Sequence, residues 1–518
     1  MLARTHTITH YGAKPHRITI ETDIFAGLPG ISLVGLPTKS VEESRERLRS
    51  AIRNSGLEFP MRKIVLNLAP ADTAKHGTGF ELAMAIGILI ASKQIQPQPD
   101  STLFAAELSL DGSLRPARDS IASIISAQKI DCKTLIIARD TPAIPDTITR
   151  EVEVIRVQNL HELYRWLINE APQPCHPEPP YIVDKKTSLV DFSVIKGLEV
   201  PKRALEIAAA GNHNALLIGP PGSGKTLLAH AFPSILPHME TQEYAEVAYL
   251  HGIHNPDADH IQDRPIRSPH HTASDVALVG GGQIPKPGEV TLAHRGVLFL
   301  DELPEFRRSV LEALRQPIED GVVHITRAQA ALTYPAKFIL LAAMNPCPCG
   351  YHGSIHQSCD CSPSSMSRYQ NRISGPLLDR FDMHCFINEP SITNPLEHVS
   401  EPVQSKTIRE RVLSARATQA QRFNGTTYIT NSDIPAQELS KYCSASDKAH
   451  ALLDTALHNH HLSQRGAARA LKIARTIADL DTSPSIEVAH LSEALQFRNG
   501  LSQDRIRDTS SFSDALTR

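Results

Sequence analysis

Residues 215–226 read ALLIGPPGSGKT, and this stretch restricts the fold of the 518-residue chain more than any other. Four apolar residues predict a buried strand. Gly219 ends it, four residues intervene, and Gly224, Lys225 and Thr226 complete a P-loop that opens a helix near Lys225. The spacing follows from the chemistry. Glycines let successive backbone N–H groups turn inward around phosphate oxygens, and the positive end of the helix falls on the same anion. Gly219, Pro220, Pro221, Gly222, Ser223, Gly224, Lys225 and Thr226 are therefore expected to cradle a nucleotide. Lys225 would reach the β- and γ-phosphates and Thr226 would hold Mg²⁺.

Two more apolar runs end in polar side chains. VLFLDE, 297–302, places Asp301 and Glu302 at the C-terminal end of a strand, where open α/β sheets bind ligands. Asp301 suits the Mg²⁺ shell, and Glu302 suits the role of orienting an attacking water. FILLAAMNP, 338–346, ends at Asn345, whose amide is expected to help position that water. Arg372 and Arg380, in RISG and GPLLDRFDMH, are candidates for the arginine that one subunit of a ring-forming P-loop ATPase inserts into the next; a surface ion pair is the plain reading. Arg465 and Arg469 lie four apart on one helix face, which would either close over the nucleotide or remain a solvated basic face.

Around these motifs the chain divides. At roughly 150 residues per domain, 518 residues suggest about three domains. Residues 1–171 mix strand and helix patterns, as at Thr5 to Thr9, His16 to Glu21 and Lys39 to Ser55, and predict a separate α/β or α+β domain. Residues 172–188 begin PQPCHPEPP and read as a Pro-rich linker, the alternative being a surface loop. Residues 189–395 alternate helices with short apolar strands and predict a parallel sheet covered on both faces. Residues 402–499 carry 3.6-residue periodicity and predict a helical domain, and 500–518 a polar tail.

Lys and Arg number 53 against 56 Asp and Glu, so nucleic acid can be met only through local cations. The apolar runs are too short to span a bilayer, and no signal peptide is read at the N-terminus. A cytoplasmic protein with no membrane contact is expected.

Four of the eight cysteines crowd into residues 347–361 as C-x-C, nine residues, C-x-C. Cys347, Cys349, Cys359 and Cys361 suit a tetrahedral Zn²⁺ that would stiffen the edge of the site after Asn345. Four free thiols are the alternative, and His352 or His356 could replace one ligand. Paired His270 and His271 invite a metal reading on spacing alone, but a loop role is preferred for want of a third ligand.

GPPGSGKT, VLFLDELPEF, MNPCPCG, SGPLLDRFD and LKIARTIADL, in this order, resemble the magnesium-chelatase-like AAA+ ATPases, and within them the ComM/YifB competence branch, over about residues 1–500. The resemblance implies an AAA+ core with a helical lid. It makes Lys225 and Thr226 Walker A, Asp301 and Glu302 Walker B, Asn345 sensor 1, Arg380 the arginine finger, and Arg469 the sensor 2 arginine, with Arg465 as the alternative. It also implies ATP as substrate, a homo-hexamer, and single-stranded or branched DNA as partner. ADTAKHGTGFELAMAIGIL, 71–89, resembles the Lon-protease-type domain at the front of this branch. Gly79 stands where the nucleophilic Ser would be, so a non-proteolytic domain is expected. Residues 267–282 and 323–338 match elements that such proteins insert into a central pore; the second predicts a hairpin. Arg327 beside its turn and Lys286 in PKPGE are the candidate DNA contacts, although Arg327 could instead pair with Asp320. The expected function is branch migration that integrates single-stranded DNA. A magnesium-chelatase ATPase remodelling a partner is the alternative, and an ATP-dependent protease is disfavoured by the missing Ser.

Overall fold

The computed structural model describes residues 2–35, 39–70, 75, 79–149, 151–176, 190–254, 263–282, 286–327, 330–354, 356–387, 404–458 and 462–498. Among them, no helix is long and apolar enough to cross a membrane.

The N-terminal region is one mixed sheet of β1 (Ala3–Tyr11), β2 (Lys14–Phe25), β3 (Gly30–Val34), β4 (Lys63–Ala69), β5 (Thr102–Leu108), β6 (Leu114–Pro116), β7 (Thr134–Ala138) and β8 (Glu153–Val157). The order is β3-β4-β2-β1-β5-β7-β8, with β6 against β5. Side chains alternate across the strands, so the central strands β1, β5 and β7 feed two cores. Ile18, Ile20, Ile64 and Leu66 pack with the apolar helix Glu81–Ala91. Ile8, Leu103, Ala105 and Leu135 face the opposite way. GISLV, flanked by the turn signals GLP, nevertheless forms edge strand β3, because parallel pairing with β4 supplies its hydrogen bonds on one side.

The second region holds β9 (Ala215–Ile218), β10 (Ile266–Arg267), β11 (Gly280–Gly281), β12 (Lys286–Pro287), β13 (Val297–Leu300), β14 (Val322–Arg327), β15 (Ala330–Pro335), β16 (Ile339–Met344) and β17 (Met383–Phe386). Five of these form the expected sheet, β10-β13-β16-β9-β17, parallel throughout. β14 and β15 make the expected hairpin, and β11 pairs with β12 in a smaller one.

Period 2 again decides which residues face which layer. Ala215, Leu217, Val297, Phe299 and Leu341 point to a core shared with the C-terminal helices. Leu216, Ile218, Leu298, Leu300 and Ala342 point to one shared with the N-terminal region. Each Leu, Ile, Val or Phe among them, fully buried, contributes about 1.5–3 kcal/mol. The C-terminal helices Ser405–Arg422, Asp447–His458, Gln464–Leu480 and Val488–Gln496 agree with the expected helical domain. At its centre buried Asp479 accepts from Arg475 and Asn431 and pairs with Arg422.

The N-terminal region is packed onto the second region. Helix Ser120–Ser126 lies on helix Thr241–His254, His10 stacks edge-on against Tyr249 at 5.5 Å, and a Cβ at Gly12 in the β1–β2 turn would meet Leu332 of β15 at 2.9 Å. The linker expected at 172–188 is irregular chain up to His176; its remainder and the tail expected at 500–518 lie outside the described residues.

Candidate nucleotide site

The parallel sheet brings three motifs to one edge. Gly219 follows β9, Asp301 follows β13 and Asn345 follows β16, and these strands are neighbours in register, Ile218 beside Met344 and Ala342 beside Leu300. The loop turns through Gly222 and Gly224, at φ +76° and +86°, a left-handed backbone that favours glycine. Helix Lys225–Ala231 then starts with Gly224 as its N-cap.

Lys225 is folded back onto its own loop. Its Nζ donates to Gly219 O at 2.8 Å and to Pro220 O at 2.7 Å. Burial pulls its pKa below the ordinary lysine value, and the Asp301 charge offsets part of that. Thr226 Oγ1 donates to Asp301 Oδ2 at 2.8 Å, so two oxygens suited to Mg²⁺ converge. Asp301 Oδ1 accepts from the backbone N–H of Glu302 at 2.9 Å, which fixes its carboxylate. Glu302 has φ +51°, a left-handed backbone for a non-glycine residue. The turn directs its carboxylate toward His271, whose Nδ1 lies 3.3 Å from Glu302 Oε2.

His271 was missed as a neighbour of Glu302. Its ring stacks on His270, centroids 4.1 Å apart, and meets Phe306 edge-on. The metal reading for this pair is not supported: the four cysteines are the only ligand cluster found among the described residues. Nothing in the linear order of 271 and 302 announces the contact.

Two of the basic residues, Arg380 and Arg469, lie at the edge of the sheet opposite the P-loop. Arg469 does not close over the P-loop of its own chain. Its Nη1 donates to Phe381 O at 3.3 Å and its Nε lies 3.5 Å from Asp382 Oδ1. Asp382 is bonded to Asn214, which precedes β9, whereas Gly219 follows it; the four residues of that strand make about five steps of about 3.3 Å and separate the two edges by roughly 16 Å. Arg465 is exposed on the same helix. Arg380 joins Arg469 at this far edge. It is 9% exposed, pairs with Glu319 at 2.5 Å and donates to Arg315 O and Pro376 O. Arg372 pairs with Glu305 at 2.9 Å, the plain reading for that residue. Together Arg380, Asp382, Arg469, Lys472 and Glu319 line a cavity of about 580 Å³. Burial alone would raise the Asp382 carboxyl; the His213 ring and the Arg469 charge outweigh it and hold the pKa at about 2.

Folding gathers the four cysteines. Cys347 Sγ lies 3.3 Å from Cys349 Sγ and 3.6 Å from Cys359 Sγ, and all four sulfurs, Cys361 included, fall within 4.8 Å of one another. They could hold one metal ion. Lys286 is exposed at the end of β12. The side chain of Arg327 lies outside the described residues. The Lon-like stretch is described at Lys75 and from Gly79 onward.

The profile described as "Magnesium chelatase, subunit ChlI" matches residues 191–394, "Subunit ChlI of Mg-chelatase" matches 20–141, and "Magnesium chelatase, subunit ChlI C-terminal" matches 402–498. The chain is 42% identical to the YifB protein of Salmonella typhimurium over 510 residues, covering 96% of this chain and 97% of that one. It is 41% identical to the competence protein ComM of Haemophilus influenzae over 509 residues, covering 96% and 97%. Its likeness to the magnesium-chelatase 67 kDa subunit of Chlorobaculum parvum is 28% over 160 residues, 30% of this chain and 24% of that one. With the P-loop, the parallel sheet and the helical C-terminal region in place, the chain belongs to the magnesium-chelatase-like AAA+ ATPases, in the branch of ComM and YifB.

Proposed function

We propose that this protein is an ATP-driven, ring-forming DNA motor of the cytoplasm, a branch-migration helicase that promotes integration of single-stranded DNA in natural transformation. The observation that carries the reading is the match along 96% of the chain to a protein named for competence. The likeness to a magnesium-chelatase subunit spans only 30% of the chain, so remodelling of a chelatase partner is the weaker alternative.

The residues divide the work as follows. Lys225 leaves the carbonyls of Gly219 and Pro220 for the phosphates. Thr226 and Asp301 would hold Mg²⁺, which would supply charge neutralisation at the nucleotide's phosphates. Glu302 orients the attacking water, and Asn345 at the neighbouring strand end supports it. His271 holds Glu302 until the nucleotide arrives. Because Arg380 and Arg469 occupy the far edge of the sheet, their nucleotide is that of the adjacent subunit in a hexamer. The hairpin β14–β15, with Arg327 at the end of β14, and Lys286 on the smaller hairpin offer local cations to a DNA backbone.

The N-terminal region is read as a Lon-like domain without protease chemistry. A Cβ at Gly79 would stand 3.2 Å from Ala117 Cβ, so a serine there is crowded as well as absent. The four thiols are read as holding one structural Zn²⁺.

The test is ATP hydrolysis with and without forked DNA, together with displacement of a four-way junction at low salt. Stimulation and displacement are expected. Activity that responds only to a chelatase partner or to unfolded protein would overturn the reading.

A further inference from the structure

We infer that the cysteine cluster binds a single tetrathiolate-coordinated ion, Zn²⁺ by chemistry, and that this ion clamps the Walker A loop through Gly350 and Pro221 and thereby sets nucleotide affinity. The inference rests on the P-loop's binding of ATP and on nothing about DNA.

The sulfur spacing carries the first half. A tetrahedral ion with bonds of about 2.3 Å requires its sulfurs to lie about 3.8 Å apart. The measured separations are 3.3, 3.6 and 3.5 Å among Cys347, Cys349 and Cys359, and none of the six exceeds 4.8 Å. Iron–sulfur clusters bond different cysteines to different irons and hold the thiolates farther apart, so the spacing selects one ion. Four soft thiolates in tetrahedral array suit Zn²⁺. Part of the outer shell is present: the His352 N–H donates to Cys347 Sγ at 3.3 Å, the kind of contact that fixes a bound thiolate. His352 thus serves through its backbone, and the four cysteines need no imidazole among them.

The second half comes from where the chain enters and leaves the cluster. Cys347 stands three residues after Met344, the last residue of β16, with Asn345 between them. Cys361 stands two residues before helix Pro363–Gln370, which Ser362 caps by accepting from Ser365 N–H. Gln370 Nε2 from that helix donates back to Pro346 O at 3.0 Å, closing the loop. Between the two cysteine pairs the chain reverses at Gly350, at φ +88°, and lies directly on the P-loop. A Cβ at Gly350 would meet Pro221 Cδ and Cγ at 2.8 Å and Asn345 Nδ2 at 3.7 Å. The bound ion therefore fixes the turn that presses on Pro221, in the middle of the loop whose carbonyls Lys225 holds. Without it, the four thiols lose the ligand they share and that contact is free to open.

The experiment uses the full chain purified without nickel chromatography. Elemental analysis should find about one Zn²⁺ per chain, consistent with a tetrathiolate site. Binding of a fluorescent ATP analogue is then titrated for wild type, for wild type stripped by chelator and resupplied with Zn²⁺, for Cys359→Ser/Cys361→Ser, and for Gly350→Ala. Stripping and the double substitution should weaken binding on the order of tenfold, about the loss of one hydrogen bond to a charged phosphate, and Zn²⁺ should restore the stripped protein. Gly350→Ala should keep the zinc and still weaken binding, because its Cβ displaces Pro221, which tests the contact separately from the ion; the stripped and resupplied wild type decides the matter should the double substitution fail to fold. Absence of stoichiometric zinc, or unchanged affinity after its loss, overturns the clamp. Zinc-loaded wild type that binds no nucleotide overturns the P-loop reading and the clamp together.

Discussion

Replacing Lys225 by alanine tests the site through a quantity the structure allows to be worked out. Without nucleotide the ammonium makes two hydrogen bonds to neutral carbonyls, at 2.8 and 2.7 Å. Nucleotide exchanges them for bonds to charged phosphate oxygens. The carbonyl bonds are already charge-assisted by the ammonium, so what the exchange adds is the attraction of opposite charges, about 4 kcal/mol at about 4 Å and an effective dielectric of about 20, of which desolvation of the pair leaves roughly half. About 2 kcal/mol is a loss of roughly 30-fold in nucleotide affinity for Lys225→Ala. Glu302→Gln separates binding from chemistry. The Glu302 side chain is 57% exposed and its neighbour in the site is His271, so the amide should leave affinity within about threefold while turnover collapses and the ATP state accumulates. The assay is titration of a fluorescent ATP analogue beside steady-state phosphate release, with a thermal melt to confirm that each variant is folded. Affinity of Lys225→Ala within about threefold of wild type would refute the reasoning, because the carbonyl-bound lysine would then have no phosphate to move to.

Arg380→Ala should reduce turnover by about 10³-fold or more if the residue serves a neighbouring subunit's nucleotide. Mixing it with Lys225→Ala protein should restore part of the activity through rings with one intact interface; confirmed mixed rings with no rescue at any ratio count against the assignment. Arg327→Ala should keep basal ATPase and lose DNA-stimulated ATPase and junction displacement at low salt, whereas wild-type displacement removes it from the DNA path. Acid should destabilise the fold through buried histidines. Burial lowers His251 to about 4 and His384 to about 3, and the Arg498 and Arg469 charges add to the effect at His384, which Asp382 only partly opposes. Both rings take up protons in the unfolded chain below about 6.5 but remain neutral in the folded one. Their neutral, folded-compatible form is thus fully present above that pH, and stability falls by up to about 1.4 kcal/mol per pH unit for each as the pH drops toward 4. Thermal melts at pH 7.5, 6 and 5 read this slope; His384→Gln should flatten it, and an unchanged slope would show that other groups govern acid unfolding.

Much of the nucleotide edge was legible because the P-loop and its partners are local patterns. A buried strand ending in Gly219, Asp301 or Asn345 must deliver that residue to the same end of a parallel sheet, whatever else surrounds it. The hairpin at 322–335 and the helical 402–499 region were legible for the same reason, since period 2 and period 3.6 are properties of short segments. Edge strand β3 was hidden because GISLV has turn signals on both sides, and only its partner β4 makes it a strand.

The sequence by itself determined a P-loop between strand and helix, a family, and a set of cysteines close enough along the chain to meet. Those outcomes depend on spacing over a few residues, which the chain carries wherever it goes. Only the tertiary structure decided that Arg469 sits across the sheet from the loop it was expected to close over, that Arg380 lies at that same far edge, that His271 meets Glu302, and that Gly350 rests on Pro221. Each is a contact between segments whose separation along the chain says nothing about their separation in space: strand order, the packing of the C-terminal helices on one face and of the N-terminal region on the other set those distances, and no periodicity within a segment encodes them.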